Sequence, residues 1–452
     1  MRNVLKRNGT RGWCDRKSAS RAAIVVLCFL CICFQIGFPR QTVAAGTRLL
    51  TLDQALQIAR ENNKDIRKAH EYGHSVQGRY VEERSAALPQ LTLTGSASVA
   101  RDESQQLFFG TAAEQYSRVV DLSLSQPLYT WGKVSAAIRA AEEGLKTADE
   151  QLRLARQGTE RDVAVAFYNL LLAKELHRFA LENLEQKKRH SDEAHKKFAA
   201  GVATDYDVLA ADVSVQNARP ETIRTENLIK TNRDQLSFLL GIEGEAVDAV
   251  GTLDMAVTPP PVFDETLQTA RDNRPELADR RHRLGIYSEL VTIAAAENKP
   301  RLDLKGGVGW HQLDVASLGN DGAAWTVGVY LSFPFFDGFK TEGRVQQARS
   351  DLATKRIEEQ KLLDAISLEV RNAINSVREA GEIVTALSGT VRQADRLLQM
   401  AEKGYEYGVK IRLEVDDAQL NLLQAQSNLA RAKRDYLAAR TNLDWTTGRL
   451  GE

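Results

Sequence analysis

Cysteine is scarce and confined: the four in 452 residues, Cys14, Cys28, Cys31 and Cys33, all precede residue 34. A chain cleaved after that stretch has neither a disulfide nor a thiolate metal site. Proline is rare as well, ten in all, so few helices are interrupted. After Ala45 there is no run of about 18 apolar residues, which excludes a transmembrane helix. Any passage through a membrane must then use β-strands. A basic face is also missing. Residues 1–45 hold eight Lys and Arg against one acid, Asp15; setting these aside from sixty of each sign leaves 52 basic and 59 acidic residues, net −7. That balance excludes a nucleic-acid partner. Neither a glycine-rich phosphate loop nor a nucleophile elbow occurs. At about 150 residues per domain the length predicts roughly three domains, but 27% charge with so little proline fits long, solvent-flanked helices instead.

The first 45 residues read as a signal peptide. A basic run to Arg21 precedes the apolar stretch 22–38 and the small residues Val43-Ala44-Ala45, the order of an export signal. The alternative is a signal anchor, since the apolar run is long for a cleaved leader. Phe29 and Leu30 before Cys31 are too bulky for a lipoprotein site.

The chain repeats itself. Leu52-Asp-Gln-Ala-Leu-Gln-Ile-Ala-Arg-Glu-Asn62 matches Phe263-Asp-Glu-Thr-Leu-Gln-Thr-Ala-Arg-Asp-Asn273 at an offset of 211, as does Pro89–Gly95 with Pro300–Gly306. From Pro127 and Pro334 onward the offset is 207, which also pairs Gly201-Val202 with Gly408-Val409 and Gly241 with Gly448. A loop between residues 95 and 127 absorbs the difference. Two copies of one unit are therefore expected, 46–250 and 263–452, joined by a linker at 251–262 containing Pro259-Pro260-Pro261.

Each copy reads as a short helix, a β-hairpin and two long helices. Leu91 and Leu93 alternate with Thr92 and Thr94; Trp325, Val327, Val329, Leu331 and Phe333 alternate with Thr326, Gly328, Tyr330 and Ser332. Period-two patterns predict strands with one apolar face, in hairpins at about 90–128 and 301–334. Loops at about 101–118 and 311–324 close them. Long helices follow at about 133–200 and 204–240, then 341–407 and 412–447. Leu363, Ile366, Val370, Ala373, Val377 and Ala380 begin a strict 3-4 apolar spacing that continues to Ala401, the seam of a coiled coil. Val415 to Leu443 carry a second seam. His177 and Lys187 interrupt the equivalent seam of copy one, and Pro220 is expected to kink its second helix.

Four amphipathic strands cannot close a barrel, and open edges in lipid cost several kcal/mol per unpaired group. Sharing a barrel among three chains gives twelve strands, an even number within the transmembrane range. The fold class expected is thus mixed α and β and mostly helical: a trimeric 12-stranded transmembrane β-barrel with four strands per chain, continued by helices too polar for lipid. Trp131, Trp310, Phe335 and Phe336, with Phe108 and Phe109, fit either interfacial girdles or packing at the junction of barrel and helices.

At this point the chain resembles the outer-membrane efflux protein (TolC-like) family. The resemblance spans nearly all of residues 47–452 and rests on the tandem repeat, the LDQALQIARENN opening, the LSLSQPLYTWGK and LSFPFFDGFK junctions, and the GVATDYDVLAAD and GVKIRLEVDDAQ turns. It implies a homotrimer whose barrel sits in outer-membrane lipid and whose α-helical barrel crosses the periplasm. It also implies docking with a periplasmic adaptor protein and an inner-membrane pump, in a tripartite efflux or type I secretion system. The duct that the resemblance implies is passive, without catalysis, and no cofactor or metal is expected.

Particular residues follow from that resemblance. Glu414 and Asp417, three apart on one helical face, match an entrance acidic ring; six such carboxylates in a trimer would select cations. The alternative is ordinary surface acids. Asp207 takes the place of a gate-latching aspartate with Tyr405 and Lys410 as partners; lysine stands where arginine is usual, which loses bidentate geometry. Gly201, Val202, Gly408 and Val409 match adaptor-docking tips, and glycine there also suits a left-handed helix cap.

Two rivals stand beside this reading. One is a soluble periplasmic coiled-coil scaffold whose hairpins pack on each other. The other is a zinc hydrolase, because His70-Glu71-Tyr72-Gly73-His74 spells the H-E-x-x-H signature. Copy two carries Arg281, His282 and Gly285 at the aligned positions, no third ligand follows at a recognised spacing, and Gly73 weakens the helix.

Overall fold

A computed structural model describes residues 48–101, 114–244, 246–315 and 318–451. The expected signal peptide, all four cysteines, Phe108 and Phe109 lie outside the described residues. From Thr47 onward the chain forms one compact unit.

What reads as one short helix in each copy is two. Copy one has α1 (Leu52–Asn62) and α2 (Lys64–Ser85). Thr51 caps α1 through a reciprocal pair with Gln54, and the Asn63 side chain accepts from the Asp65 and Ile66 amides to restart the chain as α2. The hairpin is β2 (Gln90–Arg101) with β3 (Glu114–Tyr129), and the long helices are α3 (Lys133–Ala199) and α4 (Asp205–Leu240). Copy two gives α5 (Phe263–Asn273), α6 (Pro275–Ala295), β5 (Arg301–Val315), β6 (Leu318–Ser332), α7 (Lys340–Glu406) and α8 (Arg412–Thr446). A parallel pair too short to show periodicity, β1 (Arg48–Leu50) with β4 (Val247–Ala249), ties the start of copy one to its end. At 1.5 Å per residue, the 67 residues of α3 and of α7 each span about 100 Å. Helix α4 continues through Pro220 in a single span.

The apolar spacings become the cores. Ile366, Val370, Ala373 and Val377 of α7 are buried against Ala432, Tyr436 and Leu443 of α8. In copy one Val163, Phe167 and Leu170 of α3 pack on Leu236 and Leu240 of α4, with Leu50 and Val247 closing one end. Each such large side chain contributes about 1.5–3 kcal/mol. The polar residues inside the copy-one seam find partners: His177 Nδ1 lies 3.0 Å from Thr225 Oγ1. Gly241 and Gly448 end α4 and α8 at φ +70° and +73°. Both press on the break between the short helices, so that a Cβ at Gly448 would sit 2.8 Å from the Asn273 carbonyl oxygen and one at Gly241 would collide with Asn62. Only glycine satisfies both the backbone angle and the space.

The two hairpins lie side by side in one antiparallel sheet of order β2-β3-β5-β6. The strands are longer than the apolar alternation indicates. Residues 114–118 pair with β2, 115–118 also with β5, and 311–314 pair with 319–322, all within the stretches expected to be loops. A backbone ladder does not need apolar side chains, so pairing runs on past the apolar zone. The hairpins do not stack on each other, contrary to the scaffold reading. They share one sheet, and among the described residues its outer strands, β2 and β6, each have a free edge.

Candidate functional site

The pairing register sorts the sheet into two unlike faces. Leu91↔Leu124, Leu93↔Leu122, Val120↔Trp310, Val308↔Trp325 and Leu304↔Val329 share one face. Thr92↔Ser123, Thr94↔Asp121, Asp121↔Gly309 and Gly307↔Thr326 share the other. The apolar face is bare, with Leu93 72%, Trp325 77% and Val327 71% exposed. Such a patch on a soluble chain is an association surface. Leu91 to Val99 covers about 27 Å at 3.4 Å per residue, close to the roughly 25 Å apolar band of membrane barrels. Polar pairs bound it at the hairpin end: Arg118 donates to Gln312 at 3.0 Å, and Trp310 Nε1 to Asp321 at 3.3 Å. Aromatics bound it at the helix end, where Phe333, Phe335, Phe336 and Phe339 are exposed. The junctions there use matching left-handed pairs, Trp131-Gly132 in copy one and Gly338-Phe339 in copy two.

At the far end of the long helices the two tips have one geometry. Gly201 and Gly408 take φ +77° and +71°. Val202 N–H donates to Lys197 O at 2.9 Å, and Val409 N–H to Gly404 O at 2.8 Å. This six-residue closure is the expected glycine cap. It leaves Val202 and Val409 as exposed knobs, 74% and 80% accessible.

Asp207 closes its own helix start: it accepts from the Thr204 amide at 2.8 Å and hydroxyl at 2.7 Å. Those bonds hold its carboxyl below the usual range. Glu414, the same position in copy two, accepts from the Ile411 amide at 3.1 Å and pairs with Lys410. The Lys410 hydrogen bond, then the amide, lowers its titration in the same way. Tyr405 lies beneath Lys197 and Arg412, at 5.4 and 5.7 Å from its ring centre, and receives Lys197 Nζ at 3.4 Å. Within one chain, therefore, Asp207 is not joined to Tyr405 or Lys410. Asp417 is exposed one turn beyond Glu414.

The tip also contains residues that the sequence reading passed over. Asp416 of α8 accepts from Lys187 of α3 at 2.9 Å and from Arg412 at 3.4 Å. Burial works to raise the Asp416 carboxyl, but the Lys187 hydrogen bond and charge, with Arg412, hold it below the usual range. Gln419 beside it is buried and donates to Gln186. His190 is pushed down to about 4 by burial and by the Arg412 and Lys187 charges. The signal was present in Lys187, a cation inside an apolar seam that needed a partner.

His70 and His74 are exposed on α2, ring centres 4.9 Å apart. Among the described residues no three His, Cys, Asp or Glu side chains gather as a metal site, so the zinc-hydrolase reading lacks a ligand set. No described helix is long and apolar enough to cross a membrane.

A four-stranded sheet with a bare apolar face, carried on long helices that lipid cannot accept, is the arrangement of a membrane channel protein. The outer membrane efflux protein family matches residues 55–242 and 266–449, one match for each repeat, and the chain belongs to that family. Outer membrane protein TolC of Escherichia coli is 23% identical over 428 residues, covering 92% of this chain and 86% of that protein. The cobalt-zinc-cadmium resistance protein CzcC of Cupriavidus metallidurans is 26% identical over 418 residues, 91% and 92% of the two chains. Among solved structures, the Campylobacter jejuni CmeC outer membrane channel superposes with a TM-score of 0.77 at 19% identity, over 89% of this chain and 87% of that one. The protein is an outer-membrane channel for efflux or secretion, with its helices in the periplasm.

Proposed function

We propose that three copies close a twelve-stranded barrel in the outer membrane and that their long helices form the periplasmic duct. One observation carries this: a four-stranded sheet, apolar on one face, with an unpaired edge on each side. Lipid accepts the face but not the edges, so β2 of one copy pairs with β6 of the next. The polar face, with its Thr, Ser and Gly residues and the Asp121–His311 pair at 2.8 Å, then lines the pore.

The glycine tips are the periplasmic entrance, and a periplasmic adaptor engages Gly201, Val202, Gly408 and Val409, backed by an inner-membrane pump that supplies the energy. Glu414 and Asp417 form the acidic ring at this mouth. Asp207, Tyr405 and Lys410 latch it between neighbouring helix pairs once their local partners are exchanged. An exposed link of this kind is worth about 0–1 kcal/mol, weak enough for an adaptor to undo. The duct itself carries out no chemistry.

Planar-bilayer recording of the detergent-purified protein, with native mass measurement, tests the reading. Three-chain particles with stepwise conductance support it; a detergent-free monomer that stays in solution overturns it. Facing is tested separately. Trp325→Arg on the lipid side should cost about 2–4 kcal/mol, whereas Thr326→Arg on the pore side should fold normally and alter selectivity.

A further inference from the structure

Helix α6 is covered on two sides, by α3 of the other repeat and by α7 of its own, whereas its copy-one equivalent α2 packs chiefly on α3. The repeat therefore has one inter-repeat contact made within the chain and one left open. We infer that the open face of α2 docks on α7 of a second copy of this chain, with His74 against Ser350 and Lys68 against Glu358. This rests on the ring closure proposed above.

The contact already made fixes the register. On α6, Asp279 receives Gln151 at 3.3 Å, His282 binds Glu143 at 2.7 Å, and a Cβ at Gly285 would lie 3.2 Å from Glu143 Cγ. Subtracting 211 on the α6 side and adding 207 on the α3 side carries these pairs to the open contact. Asp279–Gln151 becomes Lys68–Glu358, a pair of opposite charge. Gly285–Glu143 becomes His74–Ser350, in which the large and small partners trade places. Arg153, which donates to the Asn273 carbonyl at 3.4 Å, becomes Gln360, whose amide can donate to the Asn62 carbonyl. The Arg139–Glu289 pair has no charged counterpart, since Gln346 and Gly78 stand there.

Burial agrees with a missing neighbour. Thr147 and Asp279 are buried in the closed contact, whereas their equivalents Thr354 and Lys68 are exposed. Ile357 of α7, beside Ser350 on the same helical face, is 66% exposed. A second copy supplies the complementary surface because α2 and α7 both belong to this chain, and a heterologous contact between them repeats around a closed ring. The H-E-x-x-H spelling at residues 70–74 then marks a subunit interface.

Disulfide trapping tests the register. In the full chain with its four cysteines changed to serine, His74→Cys with Ser350→Cys tests for a disulfide at the position equivalent to Gly285 and Glu143, where a Cβ at Gly285 would lie 3.2 Å from Glu143 Cγ. Mild oxidation in detergent should give two- and three-chain bands that reductant collapses, and neither single substitution should do so. Gly78→Cys with Gln346→Cys, one turn along, stands where Arg139 and Glu289 meet through two long side chains, so this independent second pair is joined with a short bis-maleimide rather than by oxidation. If both pairs stay monomeric on denaturing gels while the particle keeps three chains and conducts, the register is overturned and the channel stands. A monomeric particle without conductance overturns both.

Discussion

Lys187 of α3 and Asp416 of α8 meet at 2.9 Å across the boundary between the two repeats, one turn into α8 and more than three turns before the end of α3. They join helices that belong to different copies of the unit, toward the end of the helices proposed to open. Lys187 is largely buried, so losing Asp416 strands a cation, whereas losing both partners strands none. Asp416→Ala should therefore destabilise the tip by on the order of 1–2 kcal/mol and raise resting conductance, and Lys187→Met with Asp416→Leu should restore most of both. Equal effects in the single and double variants would sink this coupling.

The two acids proposed for the entrance ring are unequal. Glu414 is engaged by Lys410 and by the Ile411 amide, while Asp417 is exposed. Block of the channel by multivalent cations should weaken more in Asp417→Ala than in Glu414→Ala, and most when both are changed. The readout is the blocking concentration in planar bilayers; an unchanged value in the double variant rejects the ring.

Asp207 has a local duty as well as the proposed latch. Asp207→Ala should cost about 1 kcal/mol through the lost cap, measurable as earlier amide exchange at the start of α4. Asp207→Asn keeps an acceptor for Thr204 and removes the charge. If the charge latches the gate, Asp207→Asn should raise resting conductance without loosening α4. Wild-type conductance in that variant confines the residue to capping.

His190 predicts an acid-sensitive tip. Its native value of about 4 lies below the ordinary 6.5, so between those pH values the unfolded chain binds more protons than the folded one. Stability must fall as pH drops through that window and level off below about 4. Amide exchange near residue 190, followed from pH 7 to 4, should show this slope, and His190→Gln should flatten it. Asp416, held below its ordinary value, acts only at still lower pH.

The repeat, the helical seams and the two-faced strands were legible because each is a periodicity, and burial follows it from Ile366 to Val384. Strand ends were not, since residues 114–118 and 311–314 pair through backbone beyond the apolar zone that gives the pattern. Lys187 and His177 read as flaws in a seam because their partners, Asp416 and Thr225, lie 229 and 48 positions away. The equivalence of Asp207 and Glu414 was already in the 207-residue offset. Their shared capping geometry needed coordinates.

The raw edges of β2 and β6 also carry a genetic consequence. Within the proposed ring, a subunit that is sound in every other respect but spoiled along one border poisons each assembly it enters. If three chains close the ring as proposed, then with equal amounts of good and spoiled chains only about one ring in eight escapes, so an edge lesion in one allele is imposed on its healthy companion.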